Sequence, residues 1–181
     1  IIHPQKTKSI VISTRQKHQR APLNINLYLG TDPIEQVSSH RVLGVVIDDE
    51  MRWNLHINNV CRSVSKNLYL LSKLKYYIDA SAQKMFFHAH CLSHINYASN
   101  VWSGAGEVHL KKLNSLHRRA GKIISPNPYL STSDKLRSVN IISLEQQFNL
   151  NLAVLVYKAR HGLAPKYIEG LLSSSITRYD S

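Results

Sequence analysis

The first fifty residues and the rest of the chain carry different hydrophobic periods. "KSIVIST" is a short β-branched run, "LNINLYL" alternates, and "GTDP" reads as a turn before "IEQVSS". "RVLGVVID" has the composition of a mostly buried strand. These segments predict a small antiparallel sheet, too small to stand well without neighbours. After Trp53 the step changes to three and four. Ile57, Val60, Cys61, Val64, Leu68, Leu71 and Leu74 define one face of a helix over roughly residues 54–76. "YIDASAQ" supplies a break and a fresh N-cap before a second helix through "QKMFFHAHCLSHINYA", and the glycines of "SGAGE" close that element. In the third helix, "EVHLKKLNSLHRRAGKII", Leu110, Leu113, Leu116, Ala120, Ile123 and Ile124 face inward. The loop "SPNPYLSTSD" leads to a fourth, "SLEQQFNLNLAVLVYKARHG", with Leu144, Phe148, Leu152, Leu155 and Ala159 on one face. It stops at Gly162, and Pro165 starts a short last helix, "PKYIEGLL". The expected fold class is therefore α+β: a small antiparallel sheet over residues 1–50, a basic helical bundle over 51–125, and a C-terminal helical extension over 126–181.

Composition supports a folded chain, since 43% of its 181 residues are apolar and 19% charged. Charge is the abnormal feature. The net is +12 and the pI about 9.9, a surplus that favours polyanion partners, nucleic acid above all. It is unevenly placed: residues 51–125 hold eleven Lys/Arg against Asp79 and Glu107, a net of +9. No apolar run reaches the eighteen or so residues of a membrane helix, and the start lacks the charged–apolar–small order of a signal peptide. The expectation is an intracellular protein, nuclear or cytoplasmic, not secreted and without a membrane partner. Ile1 in place of methionine suggests a piece of a longer chain. Cys61 and Cys91 fall inside helical patterns and are expected as reduced, buried thiols.

Four candidate chemistries need weighing. Asp48, Asp49 and Glu50 end an apolar run, but a two-metal site needs carboxylates converging on ions about 4 Å apart. Adjacent strand residues point to opposite faces, and a strand end before a helix start explains the triplet better. In "HAHCLSH", His90 and His94 are four apart and could share a zinc ion, yet no second cluster supplies more ligands. The chain has no G-x-S-x-G, no catalytic-cysteine signature and no glycine-rich phosphate loop. That leaves the basic helical faces. Arg62, Lys66 and Lys73 are spaced four and then seven on one helix, and Lys111, Arg118 and Lys122 form a stripe on another. Trp53, Tyr69, Tyr76, Tyr77 and Trp102 are interleaved, and such rings stack on bases or sugars.

Five separated strings, "IIHPQKTKSIVIS", "RVLGVVIDDEMRWNLHI", "LSHINYASNVWSG", "LKKLNSLHRRAGKII" and "LAVLVYKARHGLAPKYIEGLL", come in the order and spacing of one family. Over residues 3–172 the chain resembles the C-terminal part of the reverse transcriptase of animal non-LTR (LINE-type, Jockey-like) retrotransposons. The resemblance implies the end of the palm, the thumb and a C-terminal extension. The family's aromatic-x-Asp-Asp strand, which binds the catalytic magnesium ions, lies upstream of the Lys-Thr segment, so Asp48 matches instead the strand leading from palm to thumb. By the same resemblance Lys6 matches a lysine that approaches the incoming nucleotide, and Leu43 and Gly44 match the primer-grip turn. His3 stands where the family often has Asn, and Val42 where it often has Tyr. Trp53 and His56 match the string that opens the thumb, Trp53 as packing. The implied partners are an RNA template, a DNA primer, and the palm and fingers absent from this chain. No catalytic residue and no metal ligand are expected here; Mg2+ belongs to the parent polymerase. The nucleic-acid-binding candidates are Lys6, Leu43, Gly44, Arg62, Lys66, Lys73, Lys111, Arg118 and Lys122. A stand-alone basic helical nucleic-acid-binding or scaffold protein is the alternative, and a zinc-binding helical module around His90 and His94 a third reading.

Overall fold

A computed structural model describes residues 3, 6–20, 25–125 and 127–176. The class is α+β, with small sheets in the first fifty residues and helices in most of the rest. The described residues form two compact units, one within 1–62 together with 105–113 and the other within 63–104 together with 114–181.

In the first unit, β2 (Leu27–Leu29) and β3 (Asp32–Gln36) make an antiparallel hairpin with Leu29 opposite Asp32. The turn is Gly30–Thr31, with Gly30 at φ 65°; it forms the first half of the expected "GTDP" turn, while Asp32 and Pro33 already pair in β3. β1 (Lys8–Ser9) adds to β3 in parallel, Lys8 opposite Glu35, and the two side chains form an ion pair. Only two residues of "KSIVIST" pair as strand, and Arg15–Arg20 form a helix, α1, where none was expected. Leu23 and Asn24 of "LNINLYL" lie outside the described residues.

"RVLGVVID" is not one strand. β4 (Ser39–Val42) and β5 (Val45–Asp48) pair antiparallel, Val42 facing Val45, across a two-residue turn at Leu43–Gly44. Both turn residues have positive φ, 47° and 84°, the signature of a turn whose twist matches that of the flanking strands. Glycine takes that conformation freely; Leu43 takes it at a steric cost and stays 87% exposed.

The helices follow their period closely. α2 runs Asn54–Leu74, two residues shorter than expected. Ile57, Val64, Leu68 and Leu71 on its apolar face are buried. α6 occupies Glu107–Ile124, with Leu113, Ala120 and Ile124 buried. The second expected helix is interrupted. α3 (Ala80–Phe87) starts at Asp79, whose side chain accepts the Ala82 N–H at 2.7 Å, as a fresh N-cap should. It continues through a π-helical turn at His88–Leu92 into α4 (Ser93–Asn96). Ala98 at φ 50° then breaks the path before α5 (Ser99–Trp102).

Two further departures fall in the C-terminal part. The proline-rich loop gives way to α7 (Thr132–Ser138), capped by Ser131. Its Leu136 packs so closely on α6 that a Cβ on Gly121 would lie 2.9 Å from Leu136 Cδ2. α8 (Leu144–Arg160) opens with a reciprocal capping box between Ser143 and Gln146. Leu144 and Ala159 are buried and Phe148 and Leu155 half-buried, but Leu152, expected on that face, is 52% exposed. α8 ends where Leu163 N–H reaches the Lys158 carbonyl at 2.8 Å around Gly162 at φ 67°, and α9 (Lys166–Ile176) follows. Among the described residues no helix is long and apolar enough to cross a membrane.

Candidate nucleic-acid interface

The acidic triplet resolves into a corner. Asp48 is buried, and its carboxylate accepts three backbone N–H groups: Arg52 and Glu50 on Oδ1 at 2.9 and 3.2 Å, and Trp53 on Oδ2 at 2.9 Å. Glu50 pairs with Arg52 at 3.2 Å. The Asp49 N–H donates to the Ser38 carbonyl, and its own carbonyl accepts from Ser13 N–H. A carboxylate so bonded is spent on the chain path, and Asp48 is poorly placed to bridge metal ions. The corner also fixes Trp53, buried and at φ 63°, one residue before α2. His56 is buried beside it, its Nδ1 accepting the Val46 N–H at 3.3 Å. Burial, with Arg41 nearby, holds its pKa below the usual value. Both residues serve packing at the head of α2.

The histidine string behaves likewise. The His90 ring lies 4.6 Å from that of Phe86, and its carbonyl in the π-helical turn accepts from Asn67. Among the described residues no group of three or more His, Cys, Asp or Glu could hold a metal ion. Both cysteines are free and buried, and burial pushes the Cys91 thiol up to about 12. His117 is missing from the expected inward face of α6, although its spacing from Leu113 and Ala120 puts it there. It is fully buried on α6 and edge-on to Phe87 at 5.6 Å, and among the described residues neither ring nitrogen has a hydrogen-bond partner. Burial first, then the nearby His88, holds its pKa down to about 4, so at neutral pH it is an uncharged core ring.

The cations stand on the faces opposite this core. On α2, Arg62, Lys66 and Lys73 are exposed, and the exposed Tyr69 falls between them at the same spacing. Lys73 Nζ lies 5.5 Å from the centre of the Tyr69 ring, close enough for a cation–π contact. The stripe from Arg62 to Lys73 spans about 16 Å at the helical rise, and the twenty-one residues of α2 include no acid. Beyond it Tyr76 and Tyr77 are 79% and 86% exposed.

On α6, Lys111, Arg118 and Lys122 are exposed, but Lys111 is bound to Glu107 at 3.1 Å. Among the described residues Arg62, Lys66, Arg118 and Lys122 make no ion pair. Lys6 is exposed, its N–H donating to the His3 carbonyl. The candidates are divided: Lys6, Leu43, Gly44, Arg62 and Lys111 belong to the first unit, and Lys66, Lys73, Arg118 and Lys122 to the second.

One feature escaped the sequence. In the second unit α6, α7 and α8 line an open cavity of 780 Å³ that Arg118 shares with Arg137 and several amide side chains. Its lining comes from residues 114 to 149, too far apart to be associated by periodicity; the capping-box spacing of Ser143 and Gln146 was the one local signal of the corner that forms its wall. Compared with known proteins, the chain matches no family model, no curated protein and no solved structure.

Proposed function

We propose that this chain is the end of the palm, the thumb and the C-terminal extension of a non-LTR retrotransposon reverse transcriptase, and that it grips an RNA template paired with a DNA primer. The observation that supports this most is the solvent face of α2. It carries Arg62, Lys66, Tyr69 and Lys73 in steps of four, three and four, with no acid on the helix. Solubility alone is served by faces of mixed sign; a single-sign stripe with an aromatic ring suits phosphate contacts along a duplex. Such contacts hold the duplex without reading its sequence, as a polymerase thumb must. Lys6 would approach the incoming nucleotide and the Leu43–Gly44 turn the primer end, as the resemblance implies. Catalysis and its Mg2+ belong to the upstream palm of the parent polymerase.

The test is binding of a blunt RNA–DNA hybrid to the chain and to its Lys66→Glu/Lys73→Glu variant. The variant should lose at least about tenfold in affinity, from two phosphate contacts turned into repulsions, with the same melting temperature. Equal affinity would take α2 out of the interface and favour a scaffold.

A further inference from the structure

The cavity between α6, α7 and α8 brings apolar, amide and guanidinium groups together, and of its lining only Arg118 belongs to the basic stripes of α2 and α6. Its 780 Å³ falls in the roughly 300–1,000 Å³ range of ligand pockets. Its walls are built by tight local structure. Leu136 is clamped on Gly121 of α6. Asn140, at φ 55°, closes α7 with its N–H on the Arg137 carbonyl at 3.0 Å, and the Ile141 N–H returns to the Leu136 carbonyl at 2.9 Å. The Ser143–Gln146 capping box then fixes the start of α8. The corner is held by the chain's own backbone bonds and cap.

The lining divides by chemistry. Leu136 and Ile141 are buried, and Ile142 is 41% exposed. Arg118 and Arg137 bring two guanidinium groups, with Glu145 as the one acid. Asn114 and Asn149 bring exposed amides that bond to nothing else among the described residues. An apolar surface suits the face of a base. Amides present paired donors and acceptors to its edge, and guanidinium forks bind phosphate. Duplex RNA hides its base edges in a deep, narrow groove, whereas an unpaired nucleotide presents both face and edge.

We infer that this cavity binds one unpaired nucleotide of a single-stranded nucleic acid, its phosphate on Arg118 and Arg137 and its base edge on Asn114 and Asn149. The inference deepens the nucleic-acid reading of the chain and rests on it for the choice of a polynucleotide. It names a second contact surface, separate from the α2 stripe and joined to the α6 stripe through Arg118.

The experiment uses the full chain, a labelled unstructured ten-nucleotide RNA and a blunt RNA–DNA hybrid. Arg137→Gln/Asn149→Ala is the cavity variant; both side chains are exposed and make no hydrogen bond or ion pair among the described residues, and Arg118 is left intact because it also belongs to the α6 stripe. This variant should bind the single strand at least about tenfold more weakly, the worth of one charge-assisted hydrogen bond, and the hybrid within about twofold of the parent chain. Lys66→Glu/Lys73→Glu should weaken the hybrid more than the single strand. If the α2 variant binds the hybrid normally but the cavity variant still loses the single strand, the grip reading fails and the cavity stands. Unchanged single-strand binding in the cavity variant, or equal loss on both probes, overturns the cavity. So does adenosine or uridine monophosphate displacing the RNA at concentrations comparable to the oligonucleotide, which would make the ligand a free nucleotide. Matching thermal unfolding of variant and parent excludes a folding defect.

Discussion

Asp48 Oδ2 accepts the backbone N–H of Trp53 at 2.9 Å, and the same carboxylate holds the N–H groups of Glu50 and Arg52. This knot lets a buried tryptophan sit at φ 63°, a conformation that a bulky side chain adopts only when its surroundings enforce it. It ends β5 and sets the start of α2, on which the cation stripe depends. Replacing Asp48 with Ala leaves a buried Trp53 N–H without an acceptor. A loss of about 2–4 kcal/mol is expected from that orphaned donor and the charge-assisted bonds removed with it. Urea unfolding checks it. A stability within about 0.5 kcal/mol of the parent would mean that the corner holds itself without the carboxylate.

His117 makes stability depend on pH. Its pKa is held down to about 4 in the folded chain from an ordinary 6.5, so below pH 6.5 the unfolded chain binds the extra proton first. Above 6.5 the residue has no effect. As pH falls from 6.5 towards 4, folding stability should drop by up to about 1.4 kcal/mol per pH unit, about 3 kcal/mol in all. His56 and His88, whose pKa values are also lowered by burial, act with the same sign. In His117→Leu the slope of unfolding free energy against pH over that window should be visibly shallower, whatever the variant's absolute stability. An unchanged slope would show that His117 finds a proton or a partner in the folded state.

Gly121→Ala separates helix propensity from packing. On an exposed helix the change would help by about 1 kcal/mol. Here the new Cβ meets Leu136 Cδ2 at 2.9 Å, Leu136 Cγ at 3.0 Å and the Leu136 backbone nitrogen at 3.2 Å. The backbone atom cannot move without shifting α7, so a net loss of about 1–2 kcal/mol is expected, typical of overpacking. Thermal unfolding of the variant decides it. A rise in melting temperature would mean that α7 yields freely, and the cavity wall with it.

The legible part of this chain was its helical surfaces. A stripe such as Arg62, Lys66 and Lys73 is fixed by helical geometry once Val64, Leu68 and Leu71 mark the buried face, so both the helix and its outward side follow from local spacing. "RVLGVVID" misled because Leu43, which is not a turn former, sits in the left-handed conformation beside Gly44, and the flanking valines hide a two-residue turn in an apolar run. α7 was lost in a proline- and serine-rich string because Leu136 is its one buried apolar anchor. The cavity was out of reach because Asn114, Arg137 and Asn149 meet only in tertiary structure. His117 was legible by the same spacing, four after Leu113 and three before Ala120 on the buried face of α6, although its polar ring masks it in an apolar pattern.

The central claim is that α2 and α6 grip a hybrid duplex through its phosphates, and its most direct measurement is the salt dependence of that binding. The dissociation constant of an RNA–DNA hybrid is measured from low to physiological salt for the chain and for Lys66→Glu/Lys73→Glu. With about five phosphates engaged, log affinity against log salt should fall with a slope of about −4, and the variant's slope should be shallower by about two. A slope near zero, or the same slope in both proteins, would contradict the account and leave the basic helices as solvated surface.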